Sequence, residues 1–426
     1  MDKRFLNIFG LTEEQALDII ATPLEQLEDP TARYVAASHL MNFPTERSIE
    51  ALIGVVRSSD SDLYNRIARR KAIESLGRLQ SSEALPVIRE CLADEDCYTV
   101  ETAVWAIGEI GTQDETILEE IAQLLKRDGQ NYRVIIQTLA KFNYKPALAR
   151  IQPFTEDASE PIASAAISAI ARLTGDSTLM SRVVEFLQHE SVNARRGCIQ
   201  DLIDAQYCEA IPQISRCPVS VVFRLRGIRT LAASGIQAGK LEFESIEPDL
   251  DRVILDRPYD IDLVHEYDRT PTLEFAVQEL YHTDFGRCYL ASRTLLDLYA
   301  EEAPKALLKT WEQEAHNDYG AHYHVLKLLG WLKYAPAYDL LVESLQNTAP
   351  QFQKSRAAAA IALGNLGDDR AIPLLQEALD SKIFMLQYAS LLALQQIGDD
   401  KCWEQLANDP NVLIRSKAMG AKASAK

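Results

Sequence analysis

Positive charge is scarce in this chain. There are 44 Lys and Arg against 62 Asp and Glu, a formal net charge of −18 at pH 7. Phosphate contacts rest on Lys and Arg, so this balance argues against a nucleic-acid partner and disfavours an anionic membrane surface. Long apolar runs are also missing. No stretch approaches the roughly 20 residues that a membrane span requires. The start, MDKRFLNIFGLTEE, lacks the apolar segment of a secretory signal. A soluble, cytoplasmic protein with no membrane partner is expected. The seven cysteines (Cys91, Cys97, Cys198, Cys208, Cys217, Cys288, Cys402) include no CxxC pair and are odd in number. In a chain this long they read as reduced thiols. Cys91 and Cys97 flank a turn and read as packing residues rather than nucleophiles. Catalytic signatures are absent as well: no GxSxG, Walker loop, HExxH or GxGxxG after a strand. No metal and no resident cofactor is expected.

What is present is a repeat. AIESLGRL (Ala72 to Leu79), AVWAIGEIG (Ala103 to Gly111), AISAIARLTG (Ala166 to Gly175), VLKLLGWL (Val325 to Leu332), AIALGNLGD (Ala360 to Asp368) and LALQQIGDD (Leu392 to Asp400) are copies of one block. Gly77 to Gly108 and Gly367 to Gly398 are each 31 residues; Gly111 to Gly175 is 64, twice 32. Each unit reads as a Leu/Ile-rich helix such as ALPVIRECL, an Asp-containing turn such as DEDC, and a second helix rich in small residues such as VETAVWAIG. Val100, Ala103, Ile107 and Ile110 keep helical spacing. Thr12 with Gln15 reads as a capping box opening the first helix. One such unit cannot bury its apolar face, so stacking supplies the core. The expected fold is all-α: a right-handed α-solenoid of HEAT-like two-helix repeats with a concave groove. Residues 1–30 are its N-terminal cap, 31–238 repeats, and 272–426 further repeats with a C-terminal cap.

Residues 239–271 break the rule. Pro258 falls where the second helix should run, and proline interrupts helix interiors. This stretch is either a drifted surface loop or a functional departure from the repeat. Aligning the second helices elsewhere puts two positions per repeat, four apart, into the groove. These include Glu101 and Trp105, Gly197 and Asp201, Leu225 and Arg229, Tyr289 and Arg293, and Tyr323 and Lys327. Arg229, Arg293 and Lys327 with Tyr289 and Tyr323 make a basic, aromatic stretch inside an acidic protein. Such a surface suits a flat conjugated ligand carrying carboxylates, with Asp201 accepting N–H bonds. The alternative is a ladder of ion pairs between neighbouring repeats.

AHNDYGAHYHVLKLLGWL (Ala315 to Leu332) holds three of the seven histidines, His316, His322 and His324. Asp318 and His322 are spaced to pair on a helix face, with Tyr319, Tyr323 and Lys327 as a second stripe. Asp318, Tyr319 and His322 are candidate acid/base residues; the alternative is structural histidines between repeats.

The repeats at Tyr64 to Gly111 and Ser355 to Leu379 resemble those of phycobilin lyases of the E/F type. The block CYTVETAVWAIGEIG around Trp105 is most similar to the long single-chain lyases for phycoerythrin α subunits. The resemblance implies a bilin lyase that attaches phycoerythrobilin to a cysteine of the α subunit, a reaction some members follow with isomerisation to phycourobilin. Its partners are then a linear tetrapyrrole, as substrate rather than cofactor, and the phycoerythrin α subunit. In that setting Arg229, Arg293 and Lys327 would hold propionates, Asp201 or Asp318 would bind ring nitrogens, and Trp105, Tyr289 and Tyr323 would stack. A non-enzymatic HEAT scaffold binding a protein in its groove is the alternative.

Overall fold

A computed structural model describes residues 10–58, 60, 62–399 and 406–424. Every regular element among them is helical, and none is long and apolar enough to cross a membrane. The chain divides into two compact units between Leu179 and Met180. The fold class is the α-solenoid expected from the repeat. No disulfide joins the cysteines among the described residues; Cys402 and Asp400 lie outside them.

The first unit opens on the expected capping box. The Thr12 amide donates to Gln15 Oε1 at 2.9 Å and the Gln15 amide to Thr12 Oγ1 at 3.2 Å. Its second helices are α1 (Ala32–His39), α2 (Leu63–Leu79), α3 (Cys97–Ile110), α4 (Tyr132–Lys141) and α5 (Glu160–Thr174). They stack in sequence order, each on the next. Small residues set this spacing: a Cβ on Gly77 would sit 2.9 Å from Ala106 Cα, closer than real atoms approach. The first helices (Glu46–Arg57, Leu85–Glu90, Glu115–Gln123) form the other layer, and the core lies between them. Leu76, Ile107, Ile121 and Leu139 there are wholly buried, each contributing about 1.5–3 kcal/mol. Surface ion pairs join side chains one repeat apart: Arg89 with Glu120 at 2.6 Å, Arg150 with Glu119 at 2.8 Å and Lys141 with Glu109 at 2.8 Å. Exposed pairs of this kind add little, about 0–1 kcal/mol each.

The second unit carries α6 (Val192–Asp204) and α7 (Val221–Gln237), then α8 (Phe243–Leu255). The expected failure of the next second helix is real: after a single 3₁₀ turn, Pro258–Asp260, residues 261–272 form no regular element. Stacking resumes through α9 (Phe285–Leu298), α10 (Ala321–Trp331), α11 (Gln353–Leu366), α12 (Phe384–Ile397) and α13 (Val412–Ser424). Helix α8 packs on α7 but also reaches α12 and α13. Tyr388 of α12 donates to Asp251 at 2.7 Å, and Lys417 of α13 donates to Glu247 at 2.7 Å and Asp251 at 2.6 Å. The C-terminal end of α8 meets α9 and α10. The irregular repeat has therefore laid its one helix across the faces of the later second helices.

Candidate functional site

The second-helix alignment picks the inward face of the second unit correctly, but that face is not open. Tyr289, Arg293, Tyr323 and Lys327 all point at the irregular segment. Lys327 donates to the Leu255 carbonyl. Arg293 donates to the carbonyls of Pro258 at 2.8 Å and Ile261 at 2.5 Å. Tyr289 donates to the Asp256 carboxylate at 3.0 Å and Tyr323 at 2.5 Å. This corrects the expectation of a groove lined by free basic and aromatic groups. The physical reason is the missing helix: a segment with no helical partners of its own for its carbonyls must find donors elsewhere.

Asp256, which the sequence reading missed, is the hub. It is wholly buried, ends α8 in the left-handed conformation (φ 51°), and also receives Arg224. Burial works against the Arg224 charge, but Tyr289 and Asp256 outweigh it and raise its pKa. Burial, reinforced by the Asp256 charge, pushes both phenols well above their usual range. Burial pushes the Lys327 ammonium down to about 8 against the pull of Asp256.

The histidine-rich turn before α10 also departs from expectation. Asp318 does not pair with His322. It precedes the helix, and its Oδ1 accepts the amides of Gly320 and Ala321, each at 2.7 Å. His322 instead stacks on Phe352, with ring centroids 4.1 Å apart, and lies 4.5 Å from Trp311. Burial pushes it down to about 4, so it is neutral near pH 7. His324 is fully buried among Phe285, Tyr289 and Tyr323, and burial drives it well below its usual value. Tyr319 alone of the three candidate acid/base residues is exposed, at 48%.

Beside Tyr319 stands a residue the sequence reading did not select. Lys354, second residue of α11, is 4% exposed, and its Nζ has no hydrogen-bond acceptor among the described residues. It lies 3.4 Å from the Tyr319 ring centroid, 4.4 Å from Phe285 and 5.3 Å from Tyr323. Burial pushes it down to about 7. It feels the charge of Arg196 on α6, whose Nε likewise lacks an acceptor among the described residues and whose guanidinium lies 4.9 Å over Phe223. Nearby, buried Asp284 binds Arg195 at 2.6 Å and His265 at 2.9 Å. Burial would raise its pKa, but those two bonds hold the carboxyl below its usual range. A sequence signal for Lys354 existed: a cation in a helix's first turn opposes the helix dipole and asks for a reason.

Trp105 belongs to the first unit, half-buried, with the Arg78 guanidinium 5.3 Å over its ring. Asp201 is buried on α6. Arg229 lies 3.9 Å over the Phe384 ring, its Nε without an acceptor among the described residues. A surface cavity of about 590 Å³ in the first unit, lined by Leu17, Arg33, Arg47 and Glu50 among others, includes none of the predicted residues. Among the described residues no cluster suited to a metal ion occurs.

Lys354, Tyr319 and Arg196 together can recognise an anion and, with an amine near neutrality beside a phenol, hold or move a proton. Comparison with known proteins gives this chemistry a context. The family described as "HEAT repeats" matches residues 63–128, and "PBS lyase HEAT-like repeat" matches residues 355–381. The chain is 59% identical to "Uncharacterized phycocyanin operon protein Y" of Pseudanabaena tenuis, over 98% of this chain and 99% of that protein. It is 34% identical to "Bilin biosynthesis protein CpeY" of a Synechococcus species, over 92% and 97% respectively. Similarity to "Phycocyanobilin lyase subunit alpha" of a Picosynechococcus species is 25%, over 53% and 90%.

Proposed function

Because the chain belongs to the E/F-type phycobilin lyase family, we propose that it is a bilin lyase whose pigment is phycoerythrobilin and whose acceptor is a cysteine of a phycoerythrin α subunit. The observation that carries this reading is the near full-length similarity to a bilin biosynthesis protein, 34% identical over 92% of this chain. The attachment needs no oxidant. The acceptor thiol adds across the ethylidene double bond of ring A. A sulfur–carbon bond forms, the π electrons move to the adjoining ring carbon, and a proton is delivered there. The acceptor protein supplies the nucleophile, so none of this chain's cysteines needs to react. Burial pushes Cys217 to about 12 and Cys288 higher still, which suits inert packing thiols.

The lyase positions the pigment, delivers the proton and keeps water and oxygen from the conjugated system. Tyr319 is the proposed proton donor, since it is exposed and adjoins Lys354. Asp318 holds the turn that presents it, and His322 anchors that turn to Phe352. Arg229 is a proposed propionate partner. Tyr289, Arg293, Tyr323 and Lys327 act from behind, fixing the folded-back segment that forms the floor. Isomerisation to phycourobilin would move one proton between ring A and the adjoining bridge, which the same donor can serve.

The test mixes purified protein with phycoerythrobilin, then co-expresses it with the pigment and phycoerythrin α subunit. A shifted visible band, co-elution of pigment and a coloured α subunit are expected; the band of the product decides between ligation alone and ligation with isomerisation. Protein eluting free of pigment, with an unmodified α subunit, would reject the reading and leave a non-enzymatic scaffold.

A further inference from the structure

We propose that Lys354, assisted by Arg196, is a carboxylate seat that fixes one propionate of the linear tetrapyrrole and so sets which way the pigment lies. This rests on the pigment reading above.

The first support is geometric. The Lys354 ammonium has three N–H donors, and no acceptor among the described residues meets them. The three aromatic rings around it supply attraction through their faces but no hydrogen bonds. Arg196 repeats the pattern: its Nε is buried without an acceptor, while its terminal nitrogen reaches the Thr283 carbonyl at 3.3 Å. The Arg196 charge repels that of Lys354, and an anion between them would relieve both.

The second support is that nearby carboxylates are committed. Asp318 accepts the Gly320 and Ala321 amides. Asp284 is taken by Arg195, His265 and the Gly286 amide. Asp256 is taken by Arg224, Tyr289 and Tyr323. Among the described residues no carboxylate bonds to Lys354, and Asp318 and Asp256 act on it without contact, short of the pairing that a buried ammonium ordinarily needs. A methionine of similar length would fill the same aromatic cage without the penalty. Tyr319, exposed and directly over Lys354, gives a ligand its way in: a turn of that side chain uncovers the ammonium, and a carboxylate placed there would bring the pigment against the proposed proton donor.

The experiment compares phycoerythrobilin with its propionate dimethyl ester on wild type, Lys354→Met, Lys354→Gln and Arg196→Gln. Visible-band titration reads affinity, and circular dichroism confirms the fold. Wild type should prefer the free acid by on the order of ten- to a hundred-fold, the value of one charge-assisted hydrogen bond. Both Lys354 variants should lose the larger part of that preference, with Arg229 leaving a remainder, while ester binding stays unchanged; Arg196→Gln should lose part of it. Free-acid preference undiminished in both Lys354 variants would overturn the proposal. So would an equal loss for acid and ester, the signature of a merely structural role. Pigment binding with no preference for the acid in wild type removes the seat but leaves the lyase reading standing. No pigment binding by wild type removes both.

Discussion

Replacing Lys354 by methionine should make this protein more stable, and by an amount that depends on pH. The unfolded chain holds the Lys354 proton up to about 10.5, whereas in the fold burial lowers the pKa to about 7. A fall of that size corresponds to on the order of 5 kcal/mol. The sign follows from proton binding. Between pH 7 and 10.5 the unfolded chain binds the extra proton, so wild-type stability climbs with pH through that window. Below pH 7 both states are charged and the full penalty applies; above 10.5 it has vanished. Methionine carries no charge at any pH and keeps the aromatic contacts. Lys354→Met should therefore exceed wild type by on the order of 5 kcal/mol at pH 6. Part of that is offset by the lost cation–π attraction, about 1–2 kcal/mol. The gap should close toward pH 10. Lys327 titrates in the same range, to about 8, but it is present in both proteins and cancels in the difference. Other groups whose charges bear on Lys354 are Cys288, Asp318, Asp256 and Arg196, and its own charge is felt at His322 and His324. Urea unfolding followed by circular dichroism at pH 6, 8 and 10 reads the gap. A gap that is constant with pH, or a less stable variant at pH 6, would refute the picture of an uncompensated buried ammonium.

Three further outcomes follow from other parts of the fold. Asp256→Ala leaves Arg224 buried without its carboxylate and frees two phenols, so urea unfolding should show a loss of roughly 3–5 kcal/mol. Gly364→Ala places a Cβ 2.8 Å from Ala393 Cα; overpacking of about 1–3 kcal/mol should exceed the helix-propensity gain of about 1 kcal/mol, lowering the melting temperature. A melting temperature above wild type would mean that α11 and α12 separate more readily than their packing implies. For His322 the fold lowers the pKa from 6.5 to about 4, so the unfolded chain binds more protons between those values and wild-type stability rises with pH there. His322→Phe keeps the stack on Phe352 and should flatten that rise in thermal melts between pH 4 and 6.5; an unchanged slope would show that His322 does not titrate as a buried group.

The architecture was legible because small residues must recur wherever second helices touch, and Gly77 against Ala106 shows the contact that enforces it. The copies over residues 135–143 and 198–206 are hard to see for a definite reason. The positive-φ residue that follows the second helix is glycine at 111, 175, 367 and 398, but Asn143 and Gln206 in those two copies. The backbone repeat continues where the glycine signal stops. No second helix follows Pro258, and Tyr289, Arg293, Tyr323 and Lys327 turn onto the segment in its place. What no local pattern disclosed is where the freed segment goes. Contacts such as Tyr388 with Asp251, 137 residues apart, depend on how the second unit curves. Lys354 was hidden for a similar reason: its burial comes from Phe285, Tyr319 and Tyr323, which lie on other repeats or turns.

The most direct test of the central claim is covalent transfer. Phycoerythrin α subunit, phycoerythrobilin and this protein are incubated together, and the α subunit is resolved on a denaturing gel stained with zinc for bilin fluorescence. A fluorescent α-subunit band that requires this protein and disappears when the acceptor cysteine is replaced by serine is expected. A band of equal intensity without the protein, or none in its presence while it retains pigment, would contradict its assignment as the lyase.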